Sequence, residues 1–577
     1  MKQEATINRD SIVLDFSTKF CNSHEALLES DGFRRILTAY LAKLETRDTP
    51  VYEYLLEAVG TKEEIPDRVT KLFKLLIILD LEEVHILDQK YSVLLKGKSI
   101  FIEFLEGLYN FWRKFERYAI ISNNTRGEGL QNVNFIEALN NFKNLVITTY
   151  RLIEEALMGY KNRVYRQLNA GVNAGVILNG AKRNCPAEYS ILEKIPFIDT
   201  VILQPPFITY PKRNTRKGIF QEVFENPIKD MVINRDNWFC YPAKVGESLV
   251  FIYFNRYFMS QGLSLCNLFE LAKEEEYVNK APDIIYVYGV KDYETEMKTV
   301  FYRDKENNRM VGYANYCEDI DYFGYMKKMI LTLHNIRMIE QGHLPIHGAM
   351  VNITMKSGAV HNVVIMGDSG AGKSESLEAF RSLSEEYVKD MKTIFDDMGT
   401  LKLASKAPLA YGTEIGAFVR LDDLDTGYAY KEIDRSIFMN PDKINSRIII
   451  PISSYEEIMR GYPIDMFLYA NNYEAEGDLI EFFKKKEEAI PVFKAGRRKA
   501  KGTTSETGIV DSYFANPFGP VQTQEKTDIL IENFFEDMFK KGVKVGQIRT
   551  KLGIAGEEHS GPKAAATVLF EMLKPLK

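Results

Sequence analysis

The stretch Val363-Val-Ile-Met-Gly-Asp-Ser-Gly-Ala-Gly-Lys-Ser-Glu-Ser376 lies in the second half of a chain of 577 residues. It matches the pattern Gly-x-x-x-x-Gly-Lys-Ser/Thr, in which a glycine-rich turn joins a buried strand to a helix. Residues 362–366 form a short apolar, β-branched run that predicts the strand, and apolar residues at helical spacing follow over 374–389. The stretch therefore predicts a phosphate-binding loop, and the alternative is an ordinary glycine-rich turn.

In such a loop the backbone N–H groups point inward, at the positive end of the following helix. The residues expected to bind phosphate are Gly367, Asp368, Ser369, Gly370, Ala371, Gly372, Lys373 and Ser374. The Lys373 ammonium would reach the outer phosphates of a polyphosphate, and the Ser374 hydroxyl would ligate its divalent metal. We therefore expect a phosphorylated nucleotide or a similar compound as the ligand.

A second group of candidate residues follows the predicted helix. Residues 393–395 indicate a short strand that ends in Asp396 and Asp397. Carboxylates at a strand end near a phosphate loop commonly hold the metal ion or its waters. The alternative is a pair of acids in a surface turn.

Composition excludes several classes of protein. Hydrophobic residues make up 45% of the chain and the formal net charge is −6, so neither nucleic acid nor an anionic membrane is expected as a partner. The apolar runs are too short to span a bilayer, and the N-terminus has no apolar core for a signal peptide. Five cysteines lack paired spacing and indicate free thiols in a reducing, cytoplasmic location; they are Cys21, Cys185, Cys240, Cys266 and Cys317.

Three regions are predicted in a mixed α/β chain. Residues 1–185 show helical spacing and no motif with chemistry, so this helical N-terminal region could serve a protein partner. Residues 186–320 alternate prolines with short β-branched runs, which indicates a mixed α/β lobe. Residues 321–577 place strands and helices around the phosphate loop. Two basic tracts, 212–217 and 484–499, are predicted to be solvated loops, with binding of an anion as the alternative.

The surroundings of the loop resemble ATP-type phosphoenolpyruvate (PEP) carboxykinase. The sequence Tyr322-Phe-Gly-Tyr-Met-Lys-Lys328 precedes His347 by nineteen positions, and the loop and the acid pair follow. Further blocks occur in the order found in that family: Glu414 in Thr-Glu-Ile-Gly, Asn445-Ser-Arg447 ahead of Pro451, and Phe514-Ala-Asn-Pro-Phe518. The resemblance covers roughly residues 280–577 and implies a PEP carboxykinase-like, P-loop C-terminal lobe.

The resemblance also implies an activity and a metal site. Oxaloacetate would lose CO2, and the resulting enolate would accept a phosphoryl group to give PEP, with ATP as donor and GTP or pyrophosphate as alternatives. Mn2+ would be held by Lys328 as a neutral amine, by His347 and by Asp397. Mg2+ would be bound at Ser374, and Tyr322 would lie against the substrate.

The remaining implied roles concern charge on the phosphoryl group. Lys327 and Arg447 would stabilise it from the side opposite Lys373, while Ser369 would face the substrate. Glu414 would belong to the nucleotide-binding set together with Arg447.

Two departures leave alternatives open. The loop sequence Gly-Asp-Ser-Gly-Ala-Gly-Lys-Ser-Glu and the His347-Gly348 pair are also similar to HPr kinase/phosphorylase, which phosphorylates a protein serine and uses one of the paired acids as base. The carboxykinase substrate loop has only a weak counterpart around Arg216, and the adenine-contacting stretch is missing. The alternatives are therefore a kinase of a protein serine or small hydroxyl compound, and a nucleotide-binding regulator without catalysis.

Overall fold

A computed structural model describes most of the chain, namely residues 4–8, 10–87, 89–122, 134–161, 169–180, 186–215, 220–229, 231–291, 298–383, 388–421, 424, 429, 432–500 and 508–574. The side chains of residues 374, 378 and 381–383 lie outside this description. Contacts divide the chain into two compact units, Met1–Ala181 with Pro196–Phe207, and Lys182–Ile195 with Ile208–Lys577. Both units are mixed α/β. The division of the chain into three regions remains a prediction.

The first unit combines a mixed sheet with a layer of helices. Its strands are β1 (Ala5–Ile7), β2 (Ser11–Asp15), β3 (Glu116–Ser122), β4 (Ala174–Asn179) and β5 (Phe197–Leu203). The pairs β2–β3 and β3–β4 are parallel, while β1–β2 and β4–β5 are antiparallel. The helices are α1 (His24–Leu28), α2 (Asp31–Thr46), α3 (Pro50–Val59), α4 (Ile65–Leu76), α5 (Leu81–Leu87), α6 (Gln89–Lys96), α7 (Lys98–Lys114) and α8 (Phe135–Met158).

The helical prediction for residues 1–185 is therefore correct for much of this unit but misses its strands. Helical spacing predicts one helix over 100–118, yet α7 ends at Lys114, where Phe115 takes extended backbone angles. The next residues form β3, whose central residues are all buried. A strand buried on both faces shows no alternation of apolar and polar residues, so periodicity does not distinguish it from a buried helix.

The second unit contains three sheets and a short hairpin. Their strands are β6 (Phe207–Thr209), β7 (Gln221–Val223), β8 (Trp238–Val245), β9 (Ser248–Asn255), β10 (Glu270–Leu271), β11 (Ile284–Val290), β12 (Thr299–Asp304), β13 (Arg309–Asn315), β14 (Leu344–Met355), β15 (Val360–Met366), β16 (Val388–Lys402), β17 (Leu409–Gly412), β18 (Gly416–Arg420), β19 (Ile437–Met439), β20 (Arg447–Pro451), β21 (Tyr462–Pro463), β22 (Met466–Asn471), β23 (Ile480–Phe482), β24 (Arg497–Lys499), β25 (Ile509–Asp511) and β26 (Lys544–Arg549). The sheet that positions the phosphate loop has the order β21-β17-β16-β14-β15-β22-β26-β23.

Helices cover this sheet on both sides. The helices of the second unit are α9 (Met259–Ser264), α10 (Glu274–Tyr277), α11 (Phe323–Glu340), α12 (Lys373–Leu383), α13 (Tyr455–Ile458), α14 (Lys486–Ala495), α15 (Gln524–Lys540) and α16 (Ser560–Leu573). One apolar core includes residues of α14 and α15, and another includes residues of α12 and α16. Helix α11 is buried around almost its whole circumference, so it lies in the interior of the unit.

Two elements near the loop differ from the predicted ones. The predicted helix over 374–389 is too long, because β16 already begins at Val388, and residues 384–387 are outside the described part. The prediction of a short strand ending before Asp396 is wrong, because β16 has 15 residues and pairs with both β14 and β17. The two acids consequently lie within a strand rather than beyond its end.

Among the described residues, none of the helices combines the length and apolar character needed to cross a membrane. Cys21, Cys240, Cys266 and Cys317 are free thiols, as predicted. Cys185 lies outside the described residues.

His334 on α11 should make folding sensitive to acid. Burial lowers the pKa of this imidazole from 6.5 to about 4. Between these pH values the unfolded chain binds the proton and the folded chain does not, so stability falls as the pH falls below 6.5. We expect His334→Gln to reduce the loss of unfolding free energy between pH 7 and pH 5 by about 2 kcal/mol. Urea unfolding at both pH values measures this, and equal losses in the two proteins would contradict the prediction.

Candidate functional site

The loop predicted to bind phosphate connects a strand, β15, to a helix, α12, as predicted, and is held by hydrogen bonds from residues that follow neighbouring strands. Gly370 and Gly372 have φ of 78° and 94°, which L side chains rarely adopt. The Thr550 hydroxyl donates to the carbonyl of Ala371 at 2.7 Å, and the Asn472 amide donates to that of Gly370 at 2.9 Å. Strands β15, β22 and β26 are mutually parallel, so residues that follow β22 and β26 meet the loop at the same edge of the sheet.

Lys373 lies buried under this loop. Its Nζ donates to the carbonyls of Gly367, at 2.7 Å, and Asp368, at 3.1 Å. Ser369 is exposed, so its hydroxyl is accessible to a bound molecule. The side chain of Ser374, the predicted Mg2+ ligand, is outside the described part of the structure.

Asp397 is the centre of a buried ionic cluster. Its Oδ2 lies 2.6 Å from Lys327 Nζ and 2.7 Å from Lys328 Nζ, and its Oδ1 lies 2.7 Å from His347 Nε2. The lysines come from α11, the histidine from β14, and the aspartate from β16, where Asp397 pairs with Gly348. The structure thus brings together the three residues predicted to bind Mn2+. Adjacent strand residues face opposite sides, so Asp396 lies on the other face of β16.

The two lysines of the cluster differ in charge state. Burial lowers the pKa of Lys328 to about 8, although Asp397 acts to raise it. Burial would also lower the pKa of Lys327, but Asp397 and Glu414 outweigh burial and raise it. Glu414 Oε1 lies 2.7 Å from Lys327 Nζ, and that carboxylate is buried. Lys327 is therefore a permanent cation, whereas Lys328 can become a neutral amine.

Asp397 favours its charged form and His347 its neutral form, for different reasons. Burial would raise the pKa of Asp397, but Lys327, Lys328 and His347 hold it well below its usual range. Burial is also the largest influence on His347, whose pKa is lowered further by Lys373. Asp397 is consequently an anion, and the imidazole favours its neutral form.

The hydrogen bonds of His347 decide which of its ring nitrogens carries the proton. Its Nδ1 lies 2.9 Å from the carbonyl oxygen of Ala515, an atom that only accepts, so Nδ1 carries the proton. Nε2 of the neutral ring then presents a lone pair to Asp397 Oδ1, also an acceptor. Two acceptors this close require a cation between them, either a proton or a metal ion.

This donor set fits the predicted metal site. A neutral amine, an imidazole and a carboxylate converge at Lys328, His347 and Asp397, and such nitrogen and oxygen ligands suit Mn2+. The Ala515 carbonyl gives the histidine the outer-shell partner that metal-binding imidazoles usually have. Within the described residues, no group of three or more His, Cys, Asp or Glu side chains could hold a metal ion. A metal ion at this position would therefore need the lysine as a ligand.

A basic residue outside the predicted site reaches the loop. Arg498 Nε lies 3.0 Å from Asp368 Oδ2, and the arginine is only 3% exposed. The prediction of a solvated loop over 484–499 is thus wrong, because this tract forms α14 and β24. The sequence shows the positive charge but not the distant acid that compensates it. Asp368 Oδ1 also accepts the backbone N–H of Ser369 at 2.7 Å, which fixes the start of the loop.

Three of the predicted site residues lie around the ring of Phe418 on β18. The ring lies 5.6 Å from Lys327 Nζ and 5.6 Å from the guanidinium carbon of Arg447, measured to its centroid. The ring of Tyr322 lies 6.1 Å away. Arg447 also donates to Asn445 Oδ1 at 3.0 Å, which orients the guanidinium. No sequence motif singles out Phe418, although aromatic faces commonly bind cations.

The weakly predicted substrate loop is described only in part. Lys212 and Arg213 form ion pairs with Glu318, at 3.1 Å, and Asp319, at 2.9 Å, as a solvated tract would. The Asn445 amide donates to the backbone carbonyl of Asn214 at 2.8 Å. Arg216, the residue predicted to contact the substrate, lies outside the described residues.

The geometry joins the predicted phosphate loop to a lysine–histidine–aspartate cluster and to two further cations, Lys327 and Arg447. No protein-family model matches the chain, and no curated protein is detectably similar to it. The resemblance to PEP carboxykinase consequently remains a prediction that depends on the site residues themselves.

Proposed function

We propose that this protein is a metal-dependent phosphotransferase of the PEP carboxykinase type, which converts oxaloacetate and a nucleoside triphosphate into PEP, CO2 and the nucleoside diphosphate. The observation that carries the proposal is the convergence of Lys328 and His347 on Asp397, each lying 2.7 Å from one of its carboxylate oxygens. A kinase that binds only Mg2+ on phosphate oxygens has no need for a lysine whose pKa is lowered to about 8. An ion softer than Mg2+, bound by an amine and an imidazole, accounts for both the convergence of these residues and the lowered pKa of Lys328.

The residues of the chain divide the chemistry between them. Backbone N–H groups of the loop bind the polyphosphate, and Lys373 lies within the same loop. Lys327 and Arg447 add positive charge on the face of Phe418, where they would stabilise charge on the transferring phosphoryl group. Lys328, His347 and Asp397 would hold Mn2+, which would supply Lewis-acid chemistry at the substrate.

A kinase of the HPr type is the second candidate. Asp397 Oδ1 and His347 Nε2 form a carboxylate–imidazole pair 2.7 Å apart, beside a loop whose sequence is similar to that family. Such a pair can take the proton from a hydroxyl group as it attacks phosphorus. The acceptor would then be a small alcohol or a protein serine.

The assay for PEP distinguishes the candidates. Purified protein is incubated with oxaloacetate, Mn2+ and ATP, GTP or pyrophosphate, and PEP is measured by phosphorus NMR. We expect PEP with one of these donors and none without a donor. Phosphorylation of a hydroxyl acceptor with no PEP from any donor would contradict the proposal and favour the kinase. Nucleotide binding without any turnover would indicate a regulator.

Replacing His347 should affect the metal and not the nucleotide. We expect His347→Ala to weaken Mn2+ binding more than tenfold, because one nitrogen ligand is lost, with nucleotide affinity nearly unchanged. Titration followed by the EPR signal of free Mn2+ measures the first quantity, and calorimetry measures the second. His343→Ala is the matched control, since this half-buried histidine lies outside the cluster. Unchanged Mn2+ affinity in His347→Ala, together with full activity in Mg2+ alone, would contradict the metal site.

A further inference from the structure

Asp368 is an acidic residue within the loop that is predicted to bind phosphate, directly after Gly367. A carboxylate at this position repels the anionic ligand that the loop is predicted to hold. The residue is also only 7% exposed, and a buried charge is costly unless it is compensated. The groups around the side chain indicate what this charge does.

Two contacts hold the carboxylate of Asp368 in one place. Its Oδ2 lies 3.0 Å from Arg498 Nε, and its Oδ1 accepts the backbone N–H of Ser369 at 2.7 Å. The strand that carries the arginine is itself fixed, because the backbone N–H and carbonyl of Lys499 bind the side-chain amide of Asn472 at 2.8 and 3.0 Å. The position of the carboxylate is therefore set by its own loop and by β24.

The third contact of Asp368 leads to the predicted metal site. Its Oδ1 lies 3.4 Å from His347 Nδ1, the nitrogen that carries the proton and donates to the Ala515 carbonyl. A negative charge beside this N–H favours the tautomer whose lone pair is on Nε2. It also makes that lone pair a stronger donor to a metal ion. Nε2 is the atom that faces Asp397 Oδ1 at 2.7 Å.

We propose that the Asp368 side chain is a positioning group of the metal site and not a ligand of phosphate. Its carboxylate holds the His347 ring with Nε2 toward the metal position, and Arg498 holds the carboxylate and balances its charge. The inference rests on the proposed function, since it requires a metal ion at that position. It also connects the two parts of the site, because the backbone carbonyl of Asp368 accepts Lys373 Nζ at 3.1 Å.

Two affinities of the full chain separate this role from a purely structural one. Mn2+ is titrated by EPR without nucleotide, and pyrophosphate is titrated by calorimetry without divalent metal. We expect Asp368→Asn to weaken Mn2+ binding about tenfold or more, as the loss of an outer-shell partner does. Pyrophosphate should bind equally or more tightly, because the amide oxygen can still accept the Ser369 N–H while the repulsive charge is gone. Equal losses of both affinities, as a distorted loop would give, or wild-type Mn2+ affinity would overturn the proposal.

A second variant guards against loss of folding in Asp368→Asn, which removes the charge that compensates Arg498. Asp368→Asn combined with Arg498→Gln removes the buried pair as a whole and keeps the net charge of the wild type. We expect a similar loss of Mn2+ affinity, which net charge then does not explain; wild-type affinity would overturn the proposal. Asp511→Asn breaks the neighbouring exposed pair with Arg497, at 2.7 Å, and is the matched control that should bind both probes like wild type.

His347→Ala distinguishes failure of this inference from failure of the proposed function. Loss of Mn2+ affinity in His347→Ala, with wild-type affinity in both Asp368 variants, would overturn the inference alone. Absence of Mn2+ binding in the wild type, or unchanged affinity in His347→Ala, would overturn the proposed metal site and this inference with it.

Discussion

Lys373→Ala is expected to turn over at about a hundredth of the wild-type rate or less, while nucleotide affinity stays within about tenfold. The reason is that backbone N–H groups of the loop still hold the phosphates, whereas the ammonium acts mainly as charge moves in the transition state. Among the described residues, its Nζ donates to carbonyls of the loop itself, at 2.7 and 3.1 Å, and pairs with no carboxylate, so the change breaks no remote ion pair there.

Single-turnover kinetics and calorimetry measure the two quantities separately. Lys389→Ala, an exposed lysine on β16, is the matched control and should retain full activity. Wild-type turnover in Lys373→Ala would remove the phosphate loop from the mechanism. A loss of affinity as large as the loss of turnover would instead show that the lysine serves binding.

Asp397→Asn is expected to lower activity at least about a thousandfold and to destabilise the second unit by about 3 kcal/mol. The carboxylate is in contact with Lys327, Lys328 and His347 at 2.6 to 2.7 Å. An amide of the same shape removes the shared negative charge and leaves Lys327 with Glu414 alone. Because the cluster is buried, the uncompensated positive charge is costly.

Urea unfolding and the PEP assay measure these effects, and Mn2+ titration should show loss of binding in the same variant. Asp390→Asn changes an exposed acid on the same strand and serves as the control. Wild-type stability and wild-type Mn2+ affinity in Asp397→Asn would show that the cluster is neither a metal site nor a structural ion network.

Local patterns in the sequence account for the elements around the loop. The β-branched run over 362–366 corresponds to β15. Helical spacing over 526–541 and 562–573 predicts two helices, and these correspond to α15 and α16. In each case the signal is contained in a window of at most about eighteen residues, within which spacing reports the repeat of a helix or strand. The glycines of the loop and Lys373, which define the phosphate-binding motif, also lie within one short window of sequence.

Tertiary structure alone determined how distant residues meet. The full length of β16 depends on pairing with β14 and β17, and the buried strand β3 depends on neighbours that hide both of its faces. The Ala515 carbonyl on His347 and the pairing of Arg498 with Asp368 join residues more than a hundred positions apart. A sequence window contains no information on which residue compensates a buried charge or accepts a hydrogen bond from a buried donor. Those partners are brought together only by packing of the sheets.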